Sequence, residues 1–170
     1  MAAINSLREL LVDELRDLHN AENQLLKALP KMAKAASHEE LKEGFAEHLE
    51  QTREQVDRLE QCFKILGEKA KGKTCHAMQG LVEEGQEAIT EEAPDAIRDA
   101  KLIGAAQRVE HYEIAAYGTA RAFAETLGED KIAELLQETL DEEGETNKRL
   151  TAISETVNEE ANAANQTEEE

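Results

Sequence analysis

Leu102-Ile-Gly-Ala-Ala-Gln-Arg-Val-Glu110-His-Tyr-Glu113-Ile-Ala-Ala-Tyr-Gly-Thr-Ala-Arg-Ala-Phe123 is the stretch that decides the fold. Leu102, Ala106, Val109, Glu113, Ala116, Ala120 and Phe123 recur at steps of three and four, the spacing of one helix face. Glu113 sits on that stripe and Glu110 beside it, among Ala105, Ala106, Val109 and Ala116. Charged side chains are almost never fully buried unless they are paired or bound to something. A carboxylate directed into a helical core therefore calls for a partner, and a metal ion is a leading candidate.

Outward from this stretch, the rest of the chain reads as helices. Pro94 suits a helix start and Gly128 a helix end, so helix C spans about 95–127. Helix A runs from Ser6, an N-cap with Glu9 three residues on, to about Ala36. Its stripe is Leu7, Leu11, Leu15, Leu18, Glu22, Leu25, Leu29 and Met32, and Pro30 inside it predicts a kink. Ser37 is expected to cap helix B, with Leu41, Phe45, His48, Thr52, Val56, Leu59, Phe63 and Leu66 inward. Gly67 to Lys73 breaks that helix, and Thr74 starts a short one. Helix D runs from about Asp130 to Glu155, with Ile132, Leu135, Leu136, Thr139, Glu143, Thr146, Leu150 and Ile153 inward. Residues 1–157 form the bundle, and the acidic, polar tail 158–170 is expected to be disordered.

The A–B pair repeats as the C–D pair at a shift of 91 residues. Leu11 falls on Leu102, Leu18 on Val109, Leu25 on Ala116, Leu41 on Ile132, Phe45 on Leu136 and Leu59 on Leu150; Glu22 falls on Glu113. The repeat is one of pattern rather than of identity. It implies two similar helical hairpins related by a pseudo-twofold axis. The linker between them is long enough to cross the bundle end to end. The fold class is all-α, an antiparallel four-helix bundle with a short fifth helix in a long B–C crossover, the ferritin-like connection.

Axial level brings the acidic residues together. Glu113 lies 15 residues before Gly128 and Glu143 lies 15 after it, which puts both roughly 22 Å from that turn. Glu22 lies 15 residues before Ser37 and Thr52 lies 15 after it, with Glu50 and Gln51 nearby. His48 is one turn closer to the loop. Glu22, Glu110, Glu113 and Glu143 should share one mid-bundle layer, with His48 as the imidazole at or near it. Glu142 could replace Glu143. His19, Glu50, Thr52, Glu142 and Tyr112 are further ligand or supporting candidates. Buried carboxylates without a cation would repel and raise one another's pKa values. Oxygen ligands with some imidazole suit iron, with manganese as the alternative.

Composition excludes other classes. Net charge is −19, with 38 acidic against 19 basic residues, and this argues against a nucleic-acid partner or an anionic membrane surface. No apolar run approaches a membrane span, and no signal-peptide core opens the chain. Two cysteines, Cys62 and Cys75, form no framework and suggest reduced structural thiols in the cytoplasm. No Gly-rich phosphate loop is present.

Four segments also carry a resemblance. Leu18-His-Asn-Ala-Glu22-Asn-Gln-Leu-Leu-Lys-Ala-Leu-Pro-Lys31, His48-Leu-Glu-Gln-Thr-Arg-Glu-Gln55, Cys75-His-Ala-Met-Gln-Gly-Leu-Val-Glu-Glu84 and Val109-Glu-His-Tyr-Glu-Ile-Ala-Ala-Tyr-Gly118 resemble the YciF/YciE-type family of bacterial stress-associated proteins. Thr139-Leu-Asp-Glu-Glu143 extends the match, which covers about residues 5–155. The resemblance implies a bundle related to rubrerythrin-type di-iron proteins, a homodimer, and a link to stress responses. His19 stands where the family commonly has Tyr. The wider di-iron pattern places Glu-x-x-His on the second helix of each hairpin. The corresponding positions here read Thr52-Arg-Glu-Gln55 and Glu143-Gly-Glu-Thr146. The missing contribution could come from His48, Glu50 or a reoriented Glu22. Two functions stay open: a metalloprotein reacting with dioxygen or peroxide, and a non-catalytic dimerisation or binding module with a degenerate site.

Overall fold

A computed structural model describes residues 4–166. Five helices follow in order: α1 (Leu7–Ala35), α2 (Glu39–Leu66), α3 (His76–Thr90), α4 (Asp95–Leu127) and α5 (Asp130–Gln166). The described residues contain no strand. α1 and α2 form one hairpin and α4 and α5 the other; α1 packs on α4, α2 on α5, and α3 lies against α1 and α4. Arg149 pairs with Glu47 while Arg58 pairs with Glu138, so α2 and α5 run antiparallel. All-α architecture with a crossover helix is what the pattern repeat demands.

Local chemistry sets the helix ends. The Ser6 hydroxyl accepts the Glu9 N–H at 3.2 Å, as an N-cap does. α2 and α4 end on Gly67 (φ 67°) and Gly128 (φ 72°), left-handed positions that glycine adopts at least cost. α1 runs on through Pro30 to Ala35. One expected cap, Ser37, and one expected helix start, Thr74, are corrected. The residue before α2 is His38, not Ser37. The start of α2 is held by Asp99 of α4, whose carboxylate accepts the N–H groups of Ser37 (2.9 Å) and His38 (2.7 Å). An acid there also suits the positive end of the helix dipole. α3 begins after Cys75 rather than at Thr74, and the Cys75 thiol accepts the Met78 N–H at 3.4 Å.

The end of α5 is a further correction. The helix was expected to stop near Glu155, with disorder from Asn158, but it continues to Gln166. Val157 and Ala161 are buried, and Val157 belongs to the core cluster with Ile153 and Leu150. That apolar stripe holds the last turns down despite their acidic flank. Residues 167–170 of the expected tail lie outside the described residues.

The crossover is tethered along α1. Arg8 donates to the Leu66 carbonyl at 2.7 Å, Arg16 to that of Lys69 at 3.0 Å, and Asn20 accepts the Cys75 N–H at 2.8 Å. The core divides in two. One cluster gathers Leu29, Met32, Phe45, Leu102, Leu150 and Ile153 at the α1–α2 loop end. The other gathers Leu11, Leu15, Leu59, Phe63, Ile132 and Leu136 at the far end. Between them lies a polar layer.

Candidate metal centre

The layer holds Glu22, His48, Thr52, Gln55, Glu110, Glu113, Thr139 and Glu143, all buried. Each reaches it because an inward helix position falls at mid-height. His48, Glu110, Glu113 and Glu143 each offer a ligand atom, and those atoms lie within 4.8 Å of one another. His48 Nε2 stands 3.3 Å from Glu110 Oε1 and 3.8 Å from Glu143 Oε2. Its other ring nitrogen faces Gln51 Oε1 at 3.5 Å, the outer limit of a hydrogen bond. One ring nitrogen is thus turned to the carboxylates and the other to a neighbouring side chain, the usual setting of a ligating imidazole.

Burial without partners is the unusual feature. His48 Nε2, Glu110 Oε2, both oxygens of Glu113, and Glu143 Oε2 have no hydrogen-bond partner. Leaving even one buried polar atom unsatisfied costs about 1–3 kcal/mol. Five such atoms pointing together fit a divalent cation, and hard oxygens with one imidazole suit iron or manganese. Electrostatics agree. Burial, then the charge of Glu143, pushes the Glu22 carboxyl up to about 8. Burial, then Glu143, raises Glu110 well above the carboxylate range; burial, then Glu22 and Glu143, does the same for Glu113. A cation would reverse these shifts by favouring the charged forms.

Glu22, like Glu143, has one oxygen satisfied and leaves the other, Oε2, without a partner. It is completely buried, and its Oε1 accepts the phenol proton of Tyr117. It closes the layer on the α1 side. Burial and then Glu22 raise the Tyr117 phenol far above its usual range, so it stays a donor. Gln55 donates to Glu143 Oε1, and to Glu142 Oε2 at 3.1 Å. The inward stripe of α2 therefore passes through Gln55, whereas Val56, expected to point inward, is only half-buried.

The supporting candidates mostly fall elsewhere. Glu142 is held by Arg58 through two bonds of 2.7 and 2.6 Å and cannot replace Glu143. Glu50 is exposed and pairs with Arg53 at 3.6 Å. Thr52 is buried in the layer, but its hydroxyl donates to the His48 carbonyl at 2.8 Å. His19 stacks edge-on against Phe63 with ring centres 6.0 Å apart. Tyr112 turns to α1 and the crossover, donating to Asp17 at 2.6 Å and lying 3.0 Å from the Cys75 sulfur. Both thiols are free and buried, and burial pushes Cys62 up to about 12. Gln55 and Tyr117 are the layer residues that inward-stripe reading passed over. The 91-residue repeat pairs Gln55 with Thr146, and Tyr117 follows Glu113 by one helical turn; either signal marks the layer.

Residues 6–163 match a family described as a domain of unknown function, DUF892. The chain is similar to protein YciF of Escherichia coli K12, at 44% identity over 152 residues, 89% of this chain and 92% of that one. The crystal structure of the E. coli stress protein YciF superposes with a TM-score of 0.88, covering 91% of this chain and 98% of that one. YcfI of Rhodopseudomonas palustris is 45% identical with a TM-score of 0.84, covering 87% of this chain and 94% of that one. A ferritin-like, diiron-carboxylate protein of Bacillus anthracis shares the fold, with a TM-score of 0.69 at 15% identity over 89% of this chain and 99% of that one. The bundle is therefore ferritin-like. Among the described residues, no helix is long and apolar enough to cross a membrane.

Proposed function

The chain belongs to the DUF892 family and is a relative of the stress protein YciF, and we propose that it is a ferritin-like metalloprotein of the bacterial stress response. His48, Glu110, Glu113 and Glu143 bind the ion, with iron the favoured metal and manganese the alternative. The observation that carries this reading is four buried groups converging within 4.8 Å with their ligand atoms unpartnered. One ion on the α4–α5 side is held most tightly. A second ion, as the di-iron relative's name suggests, would depend on Glu22 and the neutral pair Thr52 and Gln55, and binds more weakly.

Bound iron would supply one-electron redox chemistry toward dioxygen or peroxide. The chain's own residues do the rest. Three carboxylates balance the charge, and His48 orients through Gln51. Gln55 fixes Glu143, and Tyr117 fixes Glu22. The apolar clusters above and below keep bulk water out. The working assembly is a homodimer through helix faces, to be tested by light scattering.

One observation favours a second reading, a binding module without catalysis. Gln55 and Tyr117 already give Glu143 and Glu22 partners without any ion. Anaerobic reconstitution with Fe(II), elemental analysis, then optical spectra on adding oxygen and peroxide separate the two. Stoichiometric iron with an absorption band that responds to oxidant supports the first. A folded protein that takes up no metal rejects it.

A further inference from the structure

A cavity of about 220 Å³ lies directly beside the polar layer, between it and the α1–α2 loop end. Its walls are apolar, with Leu25, Leu29, Ala106, Val109 and Leu150 among them. It adjoins the metal centre rather than coinciding with it: Glu22, Glu113 and Glu143 do not line it. His48 and Glu110 do. They are 3% and 2% exposed, and His48 Nε2 and Glu110 Oε2 lack partners. The mouth opens between α2 and α5, where Arg149 pairs with Glu47 across the gap. Thr146 also lines the cavity. It occupies the place where the di-iron pattern carries a histidine.

We propose that this cavity is a binding site for a small neutral organic molecule of about phenol size, with one hydroxyl turned to His48 and Glu110. The inference rests on the metal-centre reading for what becomes of the ligand, but not for its binding. Size sets the first limit. A dry apolar cavity of about 150 Å³ accommodates benzene, so this one takes a ring with a substituent. Charge sets the second. Glu47 and Glu145 at the rim disfavour an anion, and Arg149 is already engaged by Glu47. A cation would lose its hydration against aliphatic walls. The hydroxyl follows from the unpartnered atoms: a wholly apolar ligand would leave them unsatisfied, whereas a hydroxyl both donates and accepts.

The test is an NMR titration of the metal-free full chain with phenol, benzene and benzoate, read at the methyl groups of Leu29, Leu150 and Ile153. Phenol should give saturable shifts and bind roughly tenfold more tightly than benzene, the worth of one hydrogen bond. Benzoate should give none. Thr146→Phe, at the half-exposed rim, and Ala106→Phe, on the inner wall, should each abolish the phenol shifts; the first keeps the test usable if the second fails to fold. No saturable shift with phenol overturns the proposal. So does benzene binding as tightly as phenol, or phenol binding that survives both fillings. Mn(II) uptake is measured alongside. Thr146→Phe should keep it, which shows that filling the cavity leaves the adjoining metal centre intact. Wild type that binds phenol but no Mn(II) would sink the metal-centre reading and leave the cavity site standing.

Discussion

The two hairpins of this bundle share a pattern but not a chemistry. At the same height, α4 and α5 present Glu110, Glu113 and Glu143, while α1 and α2 present Glu22, Thr52, Gln55 and His48. The α4–α5 carboxylates leave four oxygens unpartnered, and across the layer Glu22 Oε2, His48 Nε2 and Gln55 Oε1 are unpartnered as well. On the other side, Tyr117 bonds Glu22, Thr52 bonds its own helix, and Gln55 donates outward to Glu143. The difference teaches that a pseudo-symmetric scaffold can keep a layer while dividing its labour. One half supplies charge, and the other supplies an imidazole, neutral donors and a capped acid.

The largest effect should come from breaking the charged half. Metal at a concentration of about 100 Kd should raise the wild-type melting temperature by roughly 5–10 °C. Glu113→Gln should lose most of that gain, with metal affinity falling about 100-fold or more. At pH values high enough to strip the layer of its protons, its metal-free form should melt higher than wild type, because one like charge has gone. Differential scanning calorimetry with and without Mn(II) reads both.

Next in size is the pH response of the metal-free protein. Burial holds the Glu22 carboxyl at about 8 in the folded state, against an ordinary 4.5, and raises Glu110 and Glu113 as well. Between those limits the folded chain binds more protons than the unfolded one, so stability falls as pH rises. The stabilising contribution of the protonated layer is complete below about pH 4.5 and lost through about pH 8. Urea midpoints should decline across that window without metal and decline less with it. A flat profile in the metal-free state would mean that the layer does not carry these protons.

The neutral half can be recharged. Thr52→Glu with Gln55→His restores the di-iron pattern on α2 and should raise tight metal uptake from one ion per chain to two, counted by elemental analysis. An unchanged count would show that something other than the neutral pair limits the second site. Tyr117→Phe is a smaller perturbation. It strips Glu22 of its donor and should cost about 1–3 kcal/mol in the metal-free protein, measured by urea unfolding, with metal stoichiometry unchanged. Smallest of all is Glu50→Gln. Glu50 is exposed and outside the layer, so metal affinity should not move, and stability should stay within about 0.5 kcal/mol.

Much of this comparison is legible in the sequence. Helical period and the 91-residue repeat carry the fold, because both hairpins must bury their stripes at matching heights. Counting from the turns placed Glu22, Glu113 and Glu143 at one level for the same reason. What period could not resolve was rotation by a fraction of a turn. Gln55 rather than Val56 faces the layer, and His19 and Tyr112 turn toward Phe63 and Asp17 instead. Nor could it show that Glu142 is claimed by Arg58, a contact between helices 84 residues apart in sequence. The acidic end of α5 misled for another reason. Its polar composition suggested disorder, while Val157 and Ala161 kept the one apolar stripe that a helix needs.

The central claim, that the charged half of the layer exists to hold a metal ion, is tested most directly by calorimetric titration of the metal-free chain with Mn(II). Wild type should bind one ion per chain tightly and saturably, Glu50→Gln should match it, and Glu113→Gln should show little or no tight binding. Absence of saturable binding in wild type, or equal binding in Glu113→Gln, would contradict the account and leave the layer a purely structural network.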